Sequence, residues 1–243
     1  MESLFEKPAV YVQLLILASL LFFSSCRKDR LSGSGHVVTE ERSVAGFNNV
    51  EVNGSMKVHV SEGTGQQVRV EAEDNIISRL ETYVSNNTLI VKFKNGWTII
   101  PHRTVHVYVS TDVYHGLVLN GSGGIDCGNN LNTDHLRLTV NGSGDMTVRT
   151  TANSIDGKVE GSGDINLSGS ATDLKSEVNG SGDFNALQLQ TNTADVYING
   201  SGEQTVWVEQ TLNARINGSG TVKYTGNAAV NTNINGSGKV KKI

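Results

Sequence analysis

One four-residue turn, Asn-Gly-Ser-Gly, recurs six times in the second half of this 243-residue chain, beginning at Asn120, Asn141, Asn179, Asn199, Asn217 and Asn235. A seventh copy begins at Glu160 and changes only its first residue. Successive copies are spaced by 21, 19, 19, 20, 18 and 18 residues. A near-constant period with one shared punctuation mark predicts a stack of similar coils, each touching only its neighbours. It argues against a globular enzyme fold. A β-propeller is also disfavoured, because its blades need about twice as many residues.

The turn positions are Gly121 and Gly123, Gly142 and Gly144, Gly161 and Gly163, Gly180 and Gly182, Gly200 and Gly202, Gly218 and Gly220, and Gly236 and Gly238. Two glycines per turn imply a backbone at positive φ, and Asn is the other residue that tolerates that region. An aliphatic residue precedes every copy: Leu119, Val140, Val159, Val178, Ile198, Ile216 and Ile234. After each copy the apolar residues alternate, as in Ile125/Cys127, Met146/Val148, Ile165/Leu167, Phe184/Ala186 and Val222/Tyr224, with Gln204/Val206 and Val240/Lys242 as imperfect versions. Period two on both sides of a tight turn reads as strand, turn, strand. A looser polar corner falls between copies, for example at Thr150-Thr151-Ala152-Asn153 and Thr191-Asn192-Thr193. One repeat is therefore a full coil of two strands and two corners. The predicted fold is all-β: a right-handed parallel β-helix with Gly-Ser-Gly turns between two sheets. Stacked turns would let the Asn side chains form an axial ladder.

Residues 37–119 are also rich in alternating stretches, including Lys57-Val58-His59-Val60 and Val105-His106-Val107-Tyr108-Val109, but lack the period. Asn53-Gly54-Ser55-Met56 is a degraded copy of the turn, which predicts that the coil starts here in irregular windings with a cap. Asp74 to Leu80 suits one helical turn. A separate β-sandwich is the alternative for this half.

Abundant Gly (27) and scarce Pro (2) suit thin coils instead of a thick core. The net charge of −4 and the lack of a basic run exclude a nucleic-acid grip; Lys239, Lys241 and Lys242 are too few. Ala9 to Phe23 is apolar apart from Gln13 and Ser19, short for a bilayer span, and ends in Phe23-Ser24-Ser25-Cys26. Small residues before a Cys closing a short apolar run resemble a bacterial lipobox, although Phe23 departs from the usual smaller aliphatic. The expectation is a lipoprotein signal peptide over 1–25, acylation at Cys26 and a flexible tether over 26–36, with a plain secretory signal as the alternative. Cys127 sits at an inward repeat position and reads as a small core residue.

The leader, the segment Val44-Ala45-Gly46-Phe47-Asn48-Asn49-Val50-Glu51-Val52, the stretch Glu73-Asp74-Asn75-Ile76-Ile77 and the serial Gly-Ser-Gly turns resemble the head GIN domain family. Its members are proposed auto-transporter adhesins of gut and environmental Bacteroidota. The resemblance covers about residues 37–243. It implies a pectin-lyase-like superhelix, no retained catalytic residues and a role in cell adhesion.

Candidate chemistry is sparse. Asp145, Asp164, Asp183 and Glu203 share one place, just after the second Gly, on four consecutive repeats. Carboxylates stacked about 5 Å apart repel unless a cation or solvent intervenes, so they form either a cation-binding ridge or a solvated corner. His102, Arg103 and His106 cluster after Pro101, yet read as a solvated strand face, and zinc would want a further ligand. The Asn-Gly-Ser triplets match a glycosylation sequon but read as turn chemistry. A glycan lyase or hydrolase would need a compact acid set that the scattered carboxylates do not supply. Trp97, Tyr197 and Trp207 are candidate contact aromatics, for sugars or for protein. The last repeat stops at Lys241-Lys242-Ile243 without an evident cap, which suggests a homo-oligomer. The expected function is a non-enzymatic, lipid-anchored protein of the outer membrane and cell surface, without cofactor, metal or nucleic acid. Its adhesive face would meet glycans or host and cell-surface proteins. An envelope structural or carbohydrate-binding module is the alternative.

Overall fold

The computed structural model describes residues 29–243. The proposed signal peptide and Cys26 lie outside the described residues. The described residues form nineteen strands and one short helix. Strands β1 (Asp29–Ser32) and β8 (Trp97–Ile100) make a two-stranded sheet, and all other strands belong to one stack.

From β12 (Leu131–Gly142) onward the stack is regular. Strands β13 (Asp145–Gly161), β14 (Asp164–Gly180), β15 (Asp183–Gly200) and β16 (Glu203–Gly218) each fill one coil and pair in parallel with the next. The register is that of the sequence repeat: Asn141 sits on Glu160, Glu160 on Asn179, Asn179 on Asn199 and Asn199 on Asn217. The result is a β-solenoid of about seven turns. Strands β17 (Thr221–Thr225), β18 (Ala229–Gly236) and β19 (Lys239–Lys242) complete the last coils on β16 and β17.

Two local expectations change. The loose polar corner is not a break in pairing, because Thr150-Thr151-Ala152 pairs with Gly169-Ser170-Ala171 inside continuous strands. The motif Asn residues are not at positive φ; in each copy the first Gly is, as at Gly161 (φ 122°). The second Gly serves contact instead of conformation. A Cβ at Gly163 would overlap the carbonyl oxygen of Gly144 and come within 2.8 Å of Val140 Cγ1. Coil length varies at the corner. In β15 the register against β16 slips between Ala186 and Gln190, leaving Leu187, Gln188 and Leu189 without partners there, and Leu187 points outward while Leu189 is buried.

The first half joins this stack without forming a separate sandwich. Strand β3 (Asn49–Asn53) pairs in parallel with β10 (Gly116–Gly121), and β4 (Lys57–Glu62) with β11 (Gly124–Cys127), placing Asn53 on Asn120. The degraded turn is thus a true rung, but it is not the first rung in space. Strands β7 (Thr88–Phe93) and β9 (His106–Thr111) pair on the other side of β3 and β4. Beyond them the hydrogen-bonding direction reverses. Strand β5 (Gln67–Glu73) is antiparallel to β9, β2 (Val37–Arg42) to β5, and β6 (Leu80–Ser85) to β7. Helix α1 (Asp74–Ile77) buries Ile76 and Ile77 over this end. These elements are the cap.

Part of the expected tether is structured. Residues 29–32 pair with Trp97–Ile100, Gly33 N–H donates to Ile100, and Gly35 N–H donates to the Glu73 carboxylate at 2.6 Å. Trp97 correspondingly lies at the start of a strand.

The inward side chains form one continuous hydrophobic core along the stack. Phe184 reaches across it into space that Gly157 leaves open; a Cβ at Gly157 would overlap the ring. Gln204, an apparent imperfection of the repeat, is fully buried and satisfied: Ser176 Oγ donates to its Oε1 at 2.5 Å and its Nε2 donates to the Tyr197 carbonyl at 2.6 Å. A buried polar group with both ends bonded avoids the desolvation penalty of an orphan.

Candidate binding faces

Because strand residues alternate in and out, each rung contributes the same few outward side chains, and the parallel register turns them into axial rows. One face carries two rows. The first runs His106, Lys57, Gly124, Asp145, Asp164, Asp183, Glu203, Thr221, Lys239; the second runs Tyr108, His59, Asp126, Thr147, Asn166, Asn185, Thr205, Lys223, Lys241.

The carboxylates expected as a ridge do stack, with Asp145 on Asp164 and Asp183 on Glu203. Their partners are protein groups. Asp164 Oδ1 accepts the Asp183 backbone N–H, Asp183 Oδ1 accepts that of Glu203, both at 3.0 Å, and Glu203 pairs with Lys223 Nζ at 2.7–2.8 Å. Asp164 and Asp183 thus hook the start of the following coil, and the Lys223 ammonium offsets the charge of Glu203, which relieves the repulsion that stacking would create. Among the described residues no group of three or more His, Cys, Asp and Glu side chains is arranged to hold a metal ion. A shallow depression beside the row is lined by Asp164, Asp183, Asn185, Leu187, Glu203 and Thr205.

The same face holds a cluster that sequence reading missed. His59 Nδ1 lies 2.8 Å from the Asp126 carboxylate, and its Nε2 lies 2.8 Å from His106 Nδ1. Tyr108 stacks on His59 with ring centroids 4.7 Å apart, and the Arg69 guanidinium covers the Tyr108 ring at 4.1 Å. Burial, then the neighbouring His59, hold the His106 imidazole below its ordinary pKa, so it stays neutral at neutral pH. The Asp126 carboxylate can only accept, so it orients His59 Nδ1–H towards itself, and the two imidazoles share one hydrogen bond between His59 Nε2 and His106 Nδ1. The alternation in each strand marks these side chains as outward. Nothing in it says that β4 lies between β9 and β11, and the residues are 47 and 67 positions apart. His102, grouped with His106 in the sequence, is elsewhere and bonds Ser32 Oγ at 3.0 Å.

Three candidate aromatics are placed separately. Trp97 lies under the Arg79 guanidinium at 4.1 Å, and Tyr197 is 5.4 Å from that of Arg215. Trp207 is half-buried, donates Nε1–H to Glu209 at 2.7 Å and borders an apolar patch with exposed Leu187 and Ile243. They form no single platform. Cys127 is half-buried, and burial pushes its thiol up to about 12, which makes it a poor nucleophile.

Elsewhere on the stack Ser154 lies within 2.8 Å of His135 Nδ1, with Asp156 at 3.5 Å from His135 Nε2. This trio has the residue types of a nucleophilic triad. His135 and Asp156 are each more than two-fifths exposed, and the flanking strands spend their backbone N–H groups on the ladder, so no oxyanion-stabilising pair is offered. Around it run mixed charges, Arg137 on Asp156 on Lys175 on Asp195.

A family model described as "Putative auto-transporter adhesin, head GIN domain" matches residues 46–228. No curated protein matches the sequence. Among solved structures, one described as a putative adhesin from Bacteroides fragilis superposes with a TM-score of 0.84 at 22% identity, covering 88% of this chain and 100% of that one. A protein from Parabacteroides distasonis described as a putative lipid binding protein gives 0.74, again at 22% identity and over 88% and 100% of the chains. A putative adhesin from Parabacteroides merdae gives 0.73 at 20% identity, over 88% and 99%. At these identities the likeness concerns the fold.

Proposed function

The chain belongs to the head GIN domain family, and on that premise we propose that it is a non-enzymatic adhesin, tethered by lipid at Cys26 to the outer membrane and displayed at the cell surface. The observation that supports this reading is the register of the outward rows. Side chains from many rungs are held at a fixed axial step by backbone pairing, so a ligand meets a preordered surface and little entropy is lost on docking. The family and two of the three related structures carry adhesin names, the third is described as a putative lipid binding protein, and none carries an enzyme name. The mechanism is passive: the stack sets the geometry, and the polar rows with the Trp207 patch make the contacts.

The test has two arms. Intact cells of the native host, treated with a membrane-impermeant amine reagent, are expected to yield labelled protein. The fragment 29–243 is expected to be retained on a glycan array or on a cell monolayer. Retention without surface labelling would point to an envelope module facing the periplasm. Labelling without any retention would leave a structural surface protein and remove adhesion.

A further inference from the structure

The chain contains eight Asn-Gly dipeptides, seven in rung turns and one, Asn95-Gly96, in the exposed link between β7 and β8. This dipeptide has an intrinsic reaction. The glycine backbone nitrogen attacks the Asn side-chain carbon Cγ, a new N–Cγ bond forms, and the Cγ–Nδ2 bond breaks. Ammonia leaves, taking the amide proton. Water then opens the five-membered imide at either carbonyl, giving aspartate or isoaspartate. One water is consumed and one ammonia released. The step needs a free glycine nitrogen and a carboxamide able to swing towards it.

The stack withholds both. Gly54 N–H donates to the Asn120 carbonyl of the following rung at 2.8 Å, so the nucleophile is engaged. Asn on Asn and Gly on Gly pairing continues through rungs 120/141, 179/199, 199/217 and 217/235, which gives each such glycine a following rung to bond. The carboxamides are also tied. Asn141 Nδ2 donates to Asn120 Oδ1 at 2.7 Å, Asn199 to Asn179 at 2.8 Å and Asn217 to Asn199 at 2.9 Å.

The last rung lacks these restraints. Strand β18 pairs with β16 on one side, and among the described residues no strand lies on its other side. The Gly236 N–H, which on earlier rungs would donate onward, therefore faces solvent. Among the described residues the Asn235 carboxamide has no hydrogen-bond partner. Asn235 and Gly236 are both exposed, whereas Gly121, Gly142, Gly180, Gly200 and Gly218 are all partly covered.

We propose that Asn235-Gly236 is a self-modification site, converting spontaneously to aspartate and isoaspartate, while the six rung pairs stacked above it are protected. The consequence is local and directional. A new carboxylate appears beside the edge that carries Lys239, Lys241 and Lys242, and isoaspartate lengthens the backbone by one carbon, throwing the final turn out of register. Age would thereby close this edge to any further strand.

The test is peptide mapping by mass spectrometry after the intact, folded protein is aged at neutral pH in heavy-oxygen water. Conversion at Asn235 is expected about 100-fold faster than at Asn199 or Asn217, about tenfold for each hydrogen bond the last rung lacks. The exposed Asn95 provides an internal clock. A denatured sample should convert all eight pairs at similar rates. Asn235 staying intact in the folded protein while Asn95 converts overturns the proposal, as does conversion of the stacked pairs at the rate of Asn235.

Discussion

The regular coils and the N-terminal cap solve the same problem in opposite ways. In the coils from β12 to β16 every strand is parallel to its neighbours, and like residues lie on like, so one rung's solution serves for all. In the cap, β2, β5 and β6 run antiparallel, no turn repeats, and, apart from β6 and β7, strands adjacent in sequence are not adjacent in space. A repeating edge is an invitation to continue, and only an element that breaks the repeat can end it. The contrast teaches that periodicity carries the middle of a solenoid, while specific side-chain contacts carry its end.

The largest test of that contrast compares two glycines at positive φ. Gly180 (φ 134°) lies mid-stack, where a Cβ would overlap the Gly161 carbonyl oxygen; Gly65 (φ 85°) lies in a cap loop with nothing within 4 Å. Gly180→Ala combines a forbidden backbone with a backbone clash, and a loss of more than about 4 kcal/mol is expected. Gly65→Ala meets only the backbone term, about 1–2 kcal/mol. Urea denaturation of both variants checks this. Equal losses would mean that close rung contact is not what the turn glycines serve.

A smaller effect is expected in the core. Phe184→Ala should cost about 3–5 kcal/mol by leaving a cavity in the core, and Gly157→Ala about 1–3 kcal/mol by pressing on the same ring. Because the two positions share one space, the double variant Phe184→Leu with Gly157→Ala should lose clearly less than the sum of its single changes. Additive losses in thermal unfolding would show that the ring and the glycine do not depend on each other.

Legibility followed the same division. The turn at Asn141 or Asn199 identifies the coil, its register and its inward residues from sequence, because repetition supplies many readings of one rule. Gln204 looks like an error in that rule until Ser176, on another rung, is seen to complete it. The cap was not legible: β9 beside β4, and the Asp126–His59–His106 chain across them, follow from a non-sequential order that alternation cannot express. Nor did the sequence show that Glu73, an acid at the end of an alternating strand, is buried and bonded.

Glu73 gives the cap's own prediction. Its carboxylate is buried and accepts the backbone N–H groups of Gly35, His102 and Arg103, against a Gly33 whose missing Cβ makes room for it. Burial pushes the carboxyl up, but those N–H bonds and the nearby His102 outweigh it and hold it below its ordinary value. A depressed carboxylate contributes stability above its unfolded pKa and loses it as pH falls through the depressed folded value. Glu73→Gln should therefore release β1 and β8 at neutral pH and flatten the acid dependence of their hydrogen exchange. The exchange of β13 to β15 should be unchanged. Loss of protection spreading through the stack would show that cap and coils form one cooperative unit.

The smallest effect separates the interior of the Asn ladder from its end. Asn199 donates to Asn179 at 2.8 Å and accepts from Asn217 at 2.9 Å, so its removal breaks two links and leaves one donor and one acceptor to solvent. These groups are near the surface and water can replace the lost partners, which limits the cost of Asn199→Ala to about 1 kcal/mol. Asn235 makes no such link among the described residues, and Asn235→Ala should fall within about 0.5 kcal/mol of the parent. The measurement is the urea midpoint at constant slope for both variants. A difference in the expected sense assigns the ladder a small, additive role, with the turn glycines supplying most of the register. Equal midpoints would mean that the Asn side chains stabilise the fold no more inside the stack than at its open rung.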